Sequence, residues 1–232
     1  MGARYFPVSL DVAGRLCVVI GGGHEALKKT RALLEAGARV HVVSRALLPD
    51  LQTLADQRRV TATLRPYASG DLTDAFLALA CTDDPMVHAE MAVEAQASRV
   101  LLNVVDRPAR CDFIMPAVVR QGSLTLAITT DGKSPAFAKL LQVRLSETVG
   151  PAYAEFLDLL GALRPMVLEA GLEPVDRTAL FTRIVQSGAF GRLEAGDRRA
   201  ALAIMMDLLK EQGLPWPAQW STWWAQDRGI PI

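Results

Sequence analysis

Gly21-Gly22-Gly23-His24-Glu25-Ala26 places glycine, one residue, glycine, two residues and alanine between an apolar run and a helical pattern. These residue types suit one task, holding a dinucleotide by its pyrophosphate. The first glycine permits a tight turn, Gly23 lets the backbone approach the pyrophosphate, and the small Ala26 lets helix and strand pack closely. The free N–H groups and positive end of the following helix then face the phosphates. A glycine turn that merely joins strand to helix is the competing reading, but three successive glycines would weaken a plain connection without return. A strand before, a helix after and a second strand at the right distance favour the dinucleotide.

The second strand ends in VVSRALL, without the acidic residue that commonly grips the adenosine ribose. Ser44 and Arg45 have hydrogen-bonding groups for the ribose, and Arg45 would also accept a 2′-phosphate, so this spot leaves NAD and NADP open. Carboxylates cluster where two further strands end. Asp83 and Asp84 precede Pro85, where one of them reads as a helix N-cap. Asp106 follows a nearly all-apolar strand and precedes Arg107-Pro108, in a loop that cannot be a helix interior. Beside a nicotinamide it would act as a general base or metal ligand; a turn-forming aspartate is the alternative. His24, His41 and His88 form no ligand set and pair with no serine or cysteine at recognisable spacing. Cys17, Cys81 and Cys111 form no CxxC pair, so no thiolate metal site or disulfide framework is indicated.

The elements that must position these residues alternate. Leu16–Ile20 and Val40–Val43 read as buried parallel strands, with Val60–Leu64, Phe76–Cys81 and Val100–Val104 as three more. Ala26, Leu27, Thr30, Leu33 and Leu34 recur at helical spacing before Gly37, and a second helix runs from Pro85 to about Ala97. This β-α-β repetition predicts a Rossmann-like parallel sheet over residues 1–113. Over 114–150, Gln121-Gly122 separates two apolar runs as a hairpin would, and Ser134-Pro135 opens a helix. Residues 151–232 show only helical periodicity, about 152–169, 176–186 and 194–212, closing on Trp216, Trp220, Trp223 and Trp224.

The stretches YFPVSLDVAGRLCVVIGGGHEALKKTRALLEAGARVHVVS, ACTDDP, NVVDRPARCDFIMPAVV and TTDGKSPAFAKLL together resemble the siroheme-synthase dehydrogenase/chelatase family, the precorrin-2 dehydrogenases. The resemblance covers about residues 4–145. It implies NAD-dependent oxidation of precorrin-2 to sirohydrochlorin and a homodimer joined through the hairpin and helix after Phe113. It also implies that Asp106 is the key residue for dehydrogenation and, where present, chelation. The family's dinucleotide contacts fall on His24, Glu25, Arg45 and Ala46, and Thr82 and Asp83 are placed on the cofactor side with them. The family pattern likewise has no ribose acid, so its absence here argues little for NADP. Where one member carries a regulatory serine this chain has Thr130, which puts phosphorylation there in doubt. Some members also insert Fe²⁺, and others do not; no separate metal cluster here requires it.

Precorrin-2 is a reduced tetrapyrrole with eight carboxylates, so its oxidation needs a broad cleft, hydride access to the nicotinamide and a carboxylate to take a proton. Arg107, Arg110, Arg120 and Lys133 are expected to pair with its carboxylates, with Asn103 and Ser134 beside them. Each cation taken alone reads as surface charge. A non-catalytic dinucleotide-sensing module signalling through the helical tail is the rival function, and it predicts indifference to Asp106→Ala. With 232 residues, 25 basic against 25 acidic side chains and half the chain hydrophobic, disorder is disfavoured, and no net field draws nucleic acid or an acidic membrane. No signal segment or membrane span is evident, and the expected compartment is the cytoplasm. Iron or cobalt enters only as a substrate metal.

Overall fold

Alternation along a single strand sets the first layer. In the computed structural model, which describes residues 5–215, 217 and 220, β1 (Leu16–Ile20) sends Cys17 and Val19 to one face and Val18 and Ile20 to the other. Both pairs are buried, as a strand covered on two sides requires. β1 lies at the centre of a five-stranded sheet with β2 (Arg39–Ser44) and β3 (Thr61–Leu64) on one side, β4 (Leu77–Ala80) and β5 (Leu101–Val104) on the other. Every pairing in it is parallel. The chain runs outward through β2 to β3, then returns to β4, so the order reverses beside β1 and opens a crevice at the carboxyl ends of β1 and β4.

Helices cover both faces. α1 (His24–Glu35) and α2 (Pro49–Asp56) bury Ala26, Leu27, Leu33, Leu51 and Leu54 with Cys17, Val19, Val40 and Val42. α3 (Pro85–Ser98) buries Met91 and Ala95 on the opposite face, with Val18, Ile20, Ala78 and Leu102. Each fully buried aliphatic side chain contributes about 1.5–3 kcal/mol. Asp84 is the aspartate that caps α3, accepting from the Met86 N–H at 2.9 Å. The segment after β5 folds back along that edge strand: the Asp112 N–H donates to the Leu102 carbonyl and Asp112 Oδ2 accepts from the Leu102 N–H, each at 2.8 Å.

The chain divides into two compact units, the first running to Met115 and including Asp131–Lys133, the second comprising Pro116–Thr130 and the chain from Ser134. In the second, β6 (Ala117–Gln121) and β7 (Leu124–Ile128) form an antiparallel ribbon. Among the described residues five helices follow: α4 (Pro135–Thr148), α5 (Pro151–Glu169), α6 (Pro174–Gln186), α7 (Ala189–Glu194) and α8 (Arg198–Glu211). Their core gathers Phe156, Leu159, Leu163 and Val167 of α5 with Leu180, Ile184, Leu193, Leu202, Met205 and the fully buried Trp220. The helix expected over about 194–212 is α8 and begins four residues later, at Arg198, while the short α7 before it was not expected. Gly196 turns at φ +78° and the Asp197 carboxylate accepts from the Ala200 N–H at 3.0 Å, starting α8 afresh. Trp216, Trp223 and Trp224 lie outside the described residues. Among the described residues no helix is long and apolar enough to cross a membrane.

Candidate functional site

The three glycines have separate tasks. Gly21 has φ +127°, and a Cβ on it would lie 2.3 Å from the Cys81 carbonyl oxygen at the end of β4. A Cβ on Gly22 would lie 1.9 Å from the Ala46 carbonyl oxygen, and the Gly22 carbonyl accepts from the Leu48 N–H at 2.9 Å. These two glycines let the strand ends approach one another. Gly23 differs: a Cβ there would meet nothing within 4 Å, and Gly23 is the N-cap of α1 without any side-chain cap. His24 and Glu25 open α1 exposed, while Ala26 is fully buried against the sheet. An uncapped helix N-terminus with clear space above its first residue fits a phosphate of the dinucleotide.

At the end of β2, the Ser44 hydroxyl donates to the Ala46 carbonyl at 2.8 Å, so its proton is used in holding the loop against Gly22. Its lone pairs still accept, and Arg45 is exposed beside it. At the end of β4, the Cys81 N–H bonds the Ile20 carbonyl at 2.7 Å, which joins this end to the glycine loop. His88 Nε2 lies 2.6 Å from the Thr82 carbonyl oxygen; a carbonyl only accepts, so Nε2 carries the proton. Asp83, next to the capping Asp84, is exposed.

Asp106 stands one residue beyond this junction. The Val105 N–H bonds the Ala80 carbonyl at 3.1 Å, and the Arg107 N–H bonds the Val104 carbonyl at 3.2 Å, making a tight turn with Asp106 at φ +58°. Left-handed backbone at a non-glycine residue costs on the order of 1–3 kcal/mol and tends to occur where a side chain must be aimed. The turn is held by Cys111, whose Sγ lies 3.2 Å from both the Val104 N and O and 3.3 Å from the Arg107 O. Burial pushes the Cys111 thiol up, and pushes those of Cys81 and Cys17 up to about 12 and about 11, so these sulfurs are neutral packing groups at pH 7.

The remaining expected residues separate by role. Asn103, expected at the substrate, is 7 % exposed and donates Nδ2–H to the Phe113 carbonyl at 2.9 Å; it anchors the Asp106 loop instead of lining an open surface. Arg107 and Arg110, in the turn after Asp106, are exposed, as is Lys133. In the second unit Arg120 is exposed on β6. The Ser134 hydroxyl caps α4 by accepting from the Phe137 N–H at 3.2 Å, while the Thr130 hydroxyl oxygen accepts from the Ser134 N–H at 3.1 Å. His41 bridges β2 to β3 through the Thr61 and Thr63 hydroxyls and is structural. Among the described residues no group of three or more His, Cys, Asp or Glu is placed to hold a metal ion.

One residue was missed in the sequence. Lys29 lies three residues after Ala26 and four before Leu33, on the sheet-facing side of α1, and is half-buried. Burial pulls its ammonium below the usual lysine range, with Lys28 adding to that and the carboxylates of Glu25 and Asp106 opposing it. The available signal was a charge falling on the apolar stripe of an amphipathic helix.

Residues 8–117 match a family model described as "Putative NAD(P)-binding". The chain is 31% identical over 198 residues to the siroheme synthase of Nitrosococcus oceani, covering 85% of this chain and 42% of that protein. It is 33% identical over 207 residues to the siroheme synthase of Nitrosomonas europaea, covering 89% of this chain and 44% of that protein. The chain thus spans under half the length of these curated relatives. Among solved structures, SirC, a precorrin-2 dehydrogenase, superposes with a TM-score of 0.71 at 23% identity, over 88% of this chain and 100% of that one. That likeness establishes the Rossmann-like fold followed by helices.

Proposed function

We propose that the chain belongs with the siroheme synthases over the part of those proteins that it spans, and that it oxidises precorrin-2 to sirohydrochlorin with NAD. The observation that carries the reading is Asp106: a carboxylate in a left-handed turn at the end of β5, one residue past the bond that ties β5 to β4 and so to the glycine loop. Oxidation removes a hydride and a proton from the tetrapyrrole. The dinucleotide, held at Gly21–Ala26, supplies the hydride acceptor. Asp106 takes the proton as general base, a role worth about 10²–10⁴-fold in rate. His24 and Glu25 border the phosphates, Ser44, Arg45 and Ala46 border the ribose, and Thr82 and Asp83 flank the cofactor where β4 ends. Arg107 and Arg110 present guanidinium groups beside Asp106, suited to a substrate rich in carboxylates. By resemblance, Arg120, Lys133 and Ser134 complete the substrate contacts.

The same resemblance supports a homodimer in the cytoplasm. On α4, Phe137, Leu140 and Val143 are 51%, 44% and 44% exposed at spacings of three, which gives one apolar face for a second copy. Insertion of Fe²⁺ or Co²⁺ into sirohydrochlorin is a second reaction open to the same carboxylate, by removal of a pyrrole proton.

An anaerobic assay of purified protein with precorrin-2 and NAD, read by sirohydrochlorin absorbance, tests the proposal. Sirohydrochlorin accumulating at enzymatic rate is the expected result. Added Fe²⁺ or Co²⁺ then separates a dehydrogenase from a bifunctional enzyme by conversion to a metallated product. NAD binding without oxidation would favour the sensing module instead.

A further inference from the structure

We propose that Cys111 is a positioning residue for Asp106, a clasp that grips the turn on both sides of the carboxylate and fixes where it stands at the end of β5; this rests on the dehydrogenase reading above. Asp106 has backbone at φ +58°, a conformation that a non-glycine residue keeps only where its surroundings hold it. Its side chain is exposed, and among the described residues no hydrogen bond or ion pair reaches the carboxylate. Its placement therefore comes from the backbone beneath it, and whatever holds that backbone sets the base relative to the crevice.

The hold originates in β5, an outer strand of the sheet. The Leu101 and Val105 N–H groups donate to the Phe76 and Ala80 carbonyls at 3.3 and 3.1 Å. By alternation, the backbone polar groups of Leu102 and Val104 then face away from the sheet and need other partners. Those of Leu102 are both taken by Asp112, each at 2.8 Å. At Val104 the carbonyl accepts from the Arg107 N–H, while the N–H donates to Cys111 Sγ at 3.2 Å. The thiol hydrogen has two acceptors, the Val104 carbonyl at 3.2 Å and the Arg107 carbonyl at 3.3 Å. One sulfur thus ties the residue two before Asp106 to the residue one after it. Burial pushes this thiol up, so it keeps its hydrogen at pH 7. Cys111 is held in turn: its own N–H donates to the Pro108 carbonyl at 3.2 Å, and the next residue is the Asp112 fixed on Leu102.

Cys111→Ala removes the clasp and leaves the Val104 N–H without this partner. It should lower kcat by about tenfold or more while the KM for precorrin-2 and the calorimetric affinity for NAD stay within about threefold of the parent. Cys111→Ser keeps a donor and an acceptor in place and should hold kcat within about threefold. In an Asp106→Asn background, Cys111→Ala should change the remaining turnover by less than about twofold, since the sulfur acts only through the carboxylate. Equal thermal midpoints would show that the variants fold, and Cys111→Val provides a second replacement without a donor if the alanine does not. A parental kcat in the folded alanine or valine variant would overturn the proposal. So would a loss carried by KM or NAD affinity, a folded serine variant as slow as the alanine one, or a full further loss in the Asp106→Asn background. The broader reading fails separately, through Asp106→Asn retaining full turnover with Cys111 intact.

Discussion

At the residue scale the glycine loop offers a sharp contrast. Gly22→Ala drives a methyl onto the Ala46 carbonyl, 1.9 Å from the position a Cβ would take, and backbone must move. A loss of about 1–3 kcal/mol in denaturant unfolding is expected. Gly23→Ala meets nothing within 4 Å, so the unfolding midpoint should hold while NAD affinity by calorimetry falls about tenfold or more, because the methyl stands where a phosphate is to approach. Asp106→Asn should lower turnover by about 10²-fold or more with NAD affinity intact, measured by sirohydrochlorin formation and calorimetry on one preparation. In the sequence Gly23 stands out by type and spacing, Asp106 by its place in a loop after an apolar strand with its role implied by the family resemblance, and Gly22 only as a member of the glycine run. The division of labour among the glycines was not legible there, because it depends on which carbonyl of a distant strand end comes near.

At the scale of elements, all five strands of the parallel sheet were visible as short apolar runs, and Leu16–Ile20 is bounded as the sequence suggests. Two helical features were not. α2 has eight residues, too short for its periodicity to declare itself, and only Pro49 at its first position marks it. α7 has only six residues and was not read as a helix, and the start of α8 was placed at Glu194 instead of Arg198 because the helical period continues across Gly196, whose φ of +78° interrupts it. The Asp84 cap can be weighed directly: Asp84→Ala should cost about 1 kcal/mol of unfolding free energy. His41 makes the β2–β3 edge responsive to pH. Burial is the main cause of its lowered pKa, with the Arg65 charge adding to it and that of Asp71 opposing, so the folded state favours the neutral ring. The unfolded chain then binds more protons as pH falls below about 6.5, and His41's contribution to stability, complete above that value, is lost down through its lower folded pKa. Unfolding midpoints at pH 8 and 5.5 should differ less in His41→Gln than in the parent.

For the whole molecule, α4 carries the test of assembly. Phe137→Glu puts a charge in the exposed apolar row with Leu140 and Val143; on the proposed homodimer, light scattering should show a dimer for the parent and a monomer for the variant. The helical unit should hold its fold, since Phe137 lies outside the cluster of Leu159, Leu163, Ile184 and Met205. The β5 edge has another kind of consequence for the population of molecules. A bare outer strand is a template for pairing with another chain. Here the strip after the Asp106 turn occupies it, through Asp112 on Leu102 and Asn103 on Phe113. The turn that carries Asp106 and the strip that blocks fibril-like stacking are therefore one latch, so a loosened Asp106 loop would show itself first as turbidity in a concentrated sample, before any loss in a dilute assay.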